Sequence, residues 1–370
     1  MKLSDFAQGR DNNFNLLRIS AAFAVLVTHS FALVVGSGDA EPFRKSLGVT
    51  LGSTAVDIFF VASGFLVTAS LLVRQSAIEF IWARALRIFP ALLVMLLLTV
   101  FGLGLLLTTL PTSVYLSHPK LYGYLLKCST LVMGVAFSLR GVFEGNPWKN
   151  AINGSLWTLP YEVRMYGILV VVWLGLRVVK TNRVQVLERV IIVGAVLSGG
   201  LAVGHYFRHG TNEGSFTHLF FMFFSGAAFY VLKDRITLYR QLFWIMVAAL
   251  AISTQAGKTV FFLVYMLTIA YMLFFVAYVP SGRIRAYNRL GDYSYGLYIY
   301  AFPVQQTLAA LIPGISIMQM LLGSTVLTLL LAVLSWHLIE RRALGLKGRY
   351  VGRTQQVFSR ATARAPDTVR

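Results

Sequence analysis

Charged residues are scarce in this sequence: Asp, Glu, Lys and Arg make up 13% of its 370 residues, while 57% are hydrophobic. A soluble globular domain carries about 25% charged and roughly 45–50% apolar residues, so a water-soluble fold is excluded on both counts. Cysteine is almost absent. Cys128 stands alone, which rules out an intrachain disulfide and any metal site built on several thiolates. Acidic residues number 14 against 33 Lys and Arg, giving a formal net charge of +19. That balance can signal nucleic acid. Here the basic residues are spaced between apolar runs, which points to a membrane and to no nucleic-acid partner. A cleavable signal is not expected, because Arg10, Asp11 and Arg18 interrupt the N-terminal region and the following apolar run is too long.

What the chain has in abundance is runs of about 20 apolar residues, the length needed to cross a bilayer. They lie near 14–36, 54–73, 88–110, 156–176, 190–207, 216–232, 241–255, 260–279, 293–312 and 317–338. Segment 121–139 is ambiguous, with Lys127 well inside it. If it does not cross, 24 of the 33 basic residues fall on one side and 8 on the other, Arg164 lying within a span. If it does cross, every later basic cluster inverts. The positive-inside rule therefore favours an all-α, polytopic transmembrane helix bundle of about ten spans in the cytoplasmic (inner) membrane, both termini cytoplasmic. Segment 121–139 is then interfacial or re-entrant. Residues 1–345 form the transmembrane domain, and the basic tail 346–370, with little apolar periodicity, is expected to be disordered in the cytoplasm. Oligomeric state leaves no sequence signal.

An ionisable group inside a span is costly and marks function by default. Arg18 and His29 are eleven residues apart, so they share one helix face about 16 Å apart along the axis. Asp57 opens the second span, and Glu162 opens the fourth with Tyr166 one turn on. His29, Asp57 and Glu162 are expected to converge at one depth, with His29 as general base and a carboxylate orienting it. The bland alternative for a lone intramembrane histidine is a helix–helix hydrogen bond. Arg84 and Arg87 precede the third span on one face, where guanidinium forks suit phosphate. Positive-inside anchoring is the competing reading. No metal-ligand spacing and no phosphate-cradling glycine loop is present. Ser63 reads as a small packing residue.

These residues fall into a pattern. Asn15-Leu-Leu-Arg18 leads to Thr28-His29-Ser30, then Val56-Asp57-Ile-Phe-Phe-Val-Ala-Ser63-Gly64-Phe65, then Arg84-Ala-Leu-Arg87-Ile-Phe-Pro90. Asn153-Gly-Ser-Leu-Trp157-Thr-Leu-Pro-Tyr-Glu162, Tyr293-Ser-Tyr-Gly-Leu-Tyr298 and Ser335-Trp-His-Leu-Ile-Glu340 follow in order. Over roughly residues 11–345 the chain resembles the acyltransferase-3 family of membrane-bound acyltransferases. Asn15 departs from the Asp that many members carry there. The resemblance implies transfer of an acetyl or similar group from acyl-CoA to a hydroxyl of a sugar or glycan of the cell envelope. It implies His29 as the catalytic histidine, Arg18 as its paired motif residue, and Arg84 and Arg87 in the region that handles the donor; Glu162 is expected to act beside His29, and Arg18 to lie on the donor side. Asp57, Trp157 and Tyr166 are candidates for binding the acceptor. Acyl-CoA enters as a substrate, and no permanently bound cofactor or metal is expected. A transporter or flippase of a glycan or lipid-linked precursor is the alternative from another class, using the same buried charges.

Overall fold

The computed structural model of the protein describes every residue except Met1, Gln8, Arg10, 177–181, Glu213 and 364–370, and only the backbone of 360–363. The basic residues Arg10, Arg177, Lys180, Arg364 and Arg370, counted above for sidedness, lie outside the described residues. Among those described, the regular secondary structure is helical apart from a single bridge between Lys2 and Thr237.

The principal helices are α1 (Phe14–Val35), α2 (Leu51–Arg74), α3 (Ala77–Leu97), α4 (Pro119–Thr130), α5 (Leu159–Gly175) and α6 (Arg183–His209). They continue with α7 (Phe216–Val231), α8 (Arg240–Ser253), α9 (Lys258–Tyr278), α10 (Ser294–Leu311), α11 (Ile317–Ser335) and α12 (Lys347–Ala363). Local chemistry sets the ends. The Thr50 hydroxyl accepts from the Ser53 amide at 2.9 Å, and the Thr50 amide donates to the Ser53 hydroxyl at 2.8 Å. That reciprocal pair starts α2. Ser316 and Gln319 start α11 in the same way, and Gly36, at φ 78°, turns the chain out of α1 in the left-handed conformation.

Among the described residues, six helical segments are long and apolar enough to cross a membrane: α1, α2, α6, α9, Ala77–Leu107 and Ile317–Ser359. Helices α7 and α8 are apolar and shorter. Large apolar side chains such as Leu106, Val171, Ile252 and Leu267 stand exposed around the bundle, as a lipid-facing surface requires. The protein is a multi-pass membrane protein. Segment 121–139 contains no long helix. Its 12-residue α4 reaches about 18 Å, short of a bilayer core of about 30 Å, and it buries Leu121, Tyr124 and Cys128.

The tail departs from expectation. Residues 347–363 are helical, not disordered, and α12 lies against α3. Tyr350 stacks on Trp82 with ring centroids 4.6 Å apart, and the Trp82 indole donates to Thr354 Oγ1 at 2.9 Å. Periodicity alone missed this because the docking face uses one aromatic and one hydroxyl where a longer apolar stripe would be visible.

Two helices fix the frame of the site. Helices α2 and α7 run parallel and touch backbone to backbone: a Cβ on Gly64 would lie 1.8 Å from the Phe223 carbonyl oxygen, and one on Gly226 would lie 1.9 Å from that of Val61. Only glycine permits that approach. About two turns along, the same crossing brings Asp57 to His218.

Candidate active site

Two of the cavities among the described residues are stacked along α1. The larger, about 110 Å³, is lined by His29, Asp57, Trp157, His218, Tyr265 and Tyr298. The smaller, about 50 Å³, is lined by Arg18, Ser63, Glu162, Ser294, Tyr295 and Tyr298. Val56 and Tyr298 line both and form the partition. The Tyr298 hydroxyl donates to the Ser155 carbonyl at 2.6 Å and is 2.6 Å from the Thr158 hydroxyl, so the ring is pinned in place.

The expected convergence of His29, Asp57 and Glu162 holds for the first two and fails for the third. Trp157 reaches the upper cavity, but Glu162 follows it by five residues, roughly 8 Å farther along the chain axis. The partition lies between Glu162 and His29. Glu162 instead accepts from the Ser63 hydroxyl at 3.1 Å and from the Tyr166 hydroxyl. Ser63 is therefore more than a packing residue, and Tyr166 belongs with the lower cavity's carboxylate, away from the upper one.

Among the described residues, His29 has no side-chain hydrogen-bond partner. Its Nδ1 is buried without a partner, which leaves Nε2 on the cavity side. The ring is held by shape: Phe302 packs edge-on with centroids 5.1 Å apart. A Cβ on Gly154 would come within 2.6 Å of the Phe302 ring, so glycine at 154 makes room for that brace. The same helix, α10, also holds the histidine's turn, where the buried Gln305 amide donates to the Leu26 carbonyl at 2.8 Å and to Ser30 Oγ at 2.7 Å. Pro303 removes an amide from α10 and frees the Ile299 carbonyl. The Asn153 side chain fills that gap, donating at 2.8 Å, which ties the segment before α5 to α10 and accounts for the asparagine of the Asn153-Gly-Ser-Leu-Trp157 run.

Below the lower cavity lies an ionic cluster. Asp292 Oδ2 accepts from Arg18 at 2.5 Å and from Arg87 at 2.6 Å, and Arg87 also reaches Glu340 at 3.1 Å. Glu340 accepts from Ser335 at 3.0 Å. Burial pushes the Asp292 carboxyl up, but the Arg18 and Arg87 guanidiniums, with two hydrogen bonds from Ser294, outweigh it and hold the group down at about 2. Arg84 differs from its neighbours. It has no carboxylate partner among the described residues, its Nε is buried without a partner, and its guanidinium lies 5.9 Å from the Tyr166 ring. Of the three arginines expected on the donor side, Arg84 alone keeps its charge uncommitted.

Sequence reasoning missed Asp292, His218 and Tyr265. Asp292 had a faint signal as a short acidic residue just before a helix among basic neighbours. His218 and Tyr265 had none, because Asp57, their shared partner, lies 161 and 208 residues away in the chain.

An all-helical membrane bundle with a cavity histidine and a buried arginine–carboxylate cluster fits a membrane-bound transferase. Comparison with known proteins agrees. Residues 11–337 match the acyltransferase domain family, and the chain belongs to that acyltransferase-3 family. It is 32% identical over 342 residues to the O-acetyl transferase of Shigella phage Sf6, covering 90% of this chain and 96% of that one. It is 28% identical over 375 residues to nodulation protein 10 of Rhizobium leguminosarum bv. viciae, covering 96% and 99%. No solved structure matches it significantly. The protein is an O-acyltransferase.

Proposed function

We propose that the protein moves an acetyl or similar acyl group from acyl-CoA to a hydroxyl of a sugar or glycan, with His29 as general base. In this reading the chain crosses the inner membrane in ten spans with both termini in the cytoplasm, and α4 lies at the outer interface. Acyl-CoA enters from the basic end, past Arg84 and the Arg18–Asp292–Arg87 cluster, and the acceptor enters the upper cavity from outside. The stacking of two cavities along α1, sharing Tyr298 and Val56 as walls, carries this reading.

His29 Nε2 takes the proton from the acceptor hydroxyl as that oxygen attacks the thioester carbonyl. The carbon–sulfur bond breaks, the acyl group remains on oxygen as an ester, and the imidazolium returns the proton to the CoA thiolate. Glu162 fixes Ser63 and Tyr166 along the donor's path. Arg84 supplies the cation for the donor's phosphates, whereas Arg18 and Arg87 shape the entrance through Asp292. The name of the Shigella phage relative, an O-acetyl transferase, supports acetyl as the acyl group and oxygen as its acceptor.

The test is acceptor-dependent transfer of labelled acetyl from acetyl-CoA in membranes, comparing wild type with His29→Ala at equal expression. Loss of at least about a hundredfold is expected for the variant. Undiminished transfer would remove His29 as the base.

A further inference from the structure

A third cavity lies away from the two along α1, between the start of α6 and the end of α7. Its volume is about 390 Å³, and Gln185, Glu188, Arg189 and Ile192 line it together with Val231, Leu232 and Arg235. The turn that carries Arg235 is held in place. The Leu232 carbonyl accepts from the Arg235 amide at 2.8 Å and from the Ile236 amide at 3.1 Å, and the Ile236 carbonyl accepts from the Leu3 amide at 2.8 Å. Neighbouring cations are in use: Arg183 lies 5.3 Å from the Trp173 ring and Lys233 lies 4.2 Å from that of Tyr230. Arg189 and Arg235, by contrast, have no carboxylate within ion-pair distance among the described residues.

Position tells what kind of anion they await. Arg189, Val193 and Val196 follow at i, i+4 and i+7, so they share a face of α6. Val193 is 54% exposed and Val196 69% exposed, on a helix long and apolar enough to cross a membrane. Apolar side chains turned outward on such a helix meet lipid tails. Arg189 precedes the first of them by one turn, about 6 Å, which puts its guanidinium where tails give way to headgroups. Two arginines against Glu188 leave the lining a surplus of one positive charge. That surplus matches a headgroup with a single negative phosphodiester, which a guanidinium fork binds well. Gln185 and Glu188 offer acceptors for hydroxyls beside it.

We propose that this cavity seats the headgroup of an anionic phospholipid of the phosphatidylglycerol type. Its phosphodiester meets Arg189 and Arg235, its glycerol hydroxyls meet Gln185 and Glu188, and its acyl chains run along Val193 and Val196. The lipid bridges α6 to α7, whose Gly226 packs on α2, and so braces the frame of the active site from outside. This role is independent of the route of acyl transfer.

The test uses the full-length protein, purified in detergent, stripped of lipid and titrated with phosphatidylglycerol, phosphatidylethanolamine or free glycerophosphoglycerol. Retained lipid is read by native mass spectrometry and stability by the unfolding midpoint. Phosphatidylglycerol should bind about tenfold tighter than phosphatidylethanolamine and raise the midpoint. Arg189→Gln and Arg235→Gln should each weaken its binding about fivefold, and the pair about twentyfold. Gln185→Glu, at an exposed position, cancels the surplus charge; it should cost a similar factor to either single change and keeps the test decisive if the arginine variants fold poorly. Arg349→Gln combined with Arg353→Gln, exposed on α12 and outside the cavity, should leave binding unchanged. Equal binding of the two phospholipids, an equal loss from the α12 pair, or a free headgroup that raises the midpoint as much as the lipid would overturn the inference.

Discussion

The two cavities along α1 differ in how their polar groups are used. Around the lower one, Arg18, Arg87, Asp292 and Glu340 close on each other, so two cations and two anions are satisfied within the protein. Around the upper one, His29 makes no side-chain hydrogen bond among the described residues, although Phe302 packs edge-on against its ring. The first arrangement stabilises: removing a member leaves a charge stranded in low dielectric. The second leaves hydrogen-bonding capacity for something that is not protein. Stability and chemistry are thus separated along a single helix, with Arg18 near the start of α1 and His29 two-thirds of the way along it.

The largest effect expected from breaking this contrast is at Asp292. Asp292→Asn deprives two arginines of their shared carboxylate, and the unfolding free energy in detergent should fall by about 3–5 kcal/mol. His29→Gln, by contrast, should leave the unfolding midpoint where it is and remove transfer. Equal loss of stability in both variants would erase the distinction. A smaller effect is expected at Arg84. Its guanidinium has no carboxylate to abandon, so Arg84→Gln should raise the acetyl-CoA KM about tenfold at little cost in stability. An unchanged donor KM would return the donor role to Arg18 and Arg87.

The smallest effect concerns acid. The Asp292 carboxyl titrates at about 2 in the folded protein, below the ordinary 3.8. A depressed carboxylate stabilises above its unfolded pKa and loses that contribution as pH falls through its folded value. About 2 kcal/mol should therefore disappear between pH 4 and pH 2 in wild type, and Asp292→Asn should lack this component of the acid slope. Parallel acid profiles for the two proteins would count against the cluster.

Much of this contrast was legible in the sequence, and the reason is spacing. Arg18 and His29 share a helix, so eleven residues convert directly to depth and face. The apolar runs foretold the helices because lipid leaves no other way to satisfy a spanning backbone. What stayed hidden depends on contacts between distant segments. Asp292 meets Arg18 across 274 residues and Arg87 across 205, and no local pattern encodes such a meeting. Glu162 was placed one layer too high, because the turn that delivers α5 carries it past the partition made by Tyr298. Ser63 looked inert because a small residue in an apolar stretch usually packs, yet its hydroxyl holds Glu162. The docked tail was missed because a few specific contacts, among them the Tyr350–Trp82 stack and the Trp82–Thr354 hydrogen bond, anchor it.

The central claim is that donor and acceptor reach His29 from opposite faces of the membrane. Sealed inverted vesicles, cytoplasmic face outward, test it most directly, with acetyl-CoA added outside and a neutral glycoside acceptor trapped in the lumen. Acetylated glycoside should accumulate in the lumen with wild type and not with His29→Gln. Product that forms only when the glycoside is supplied on the same side as acetyl-CoA would contradict the account.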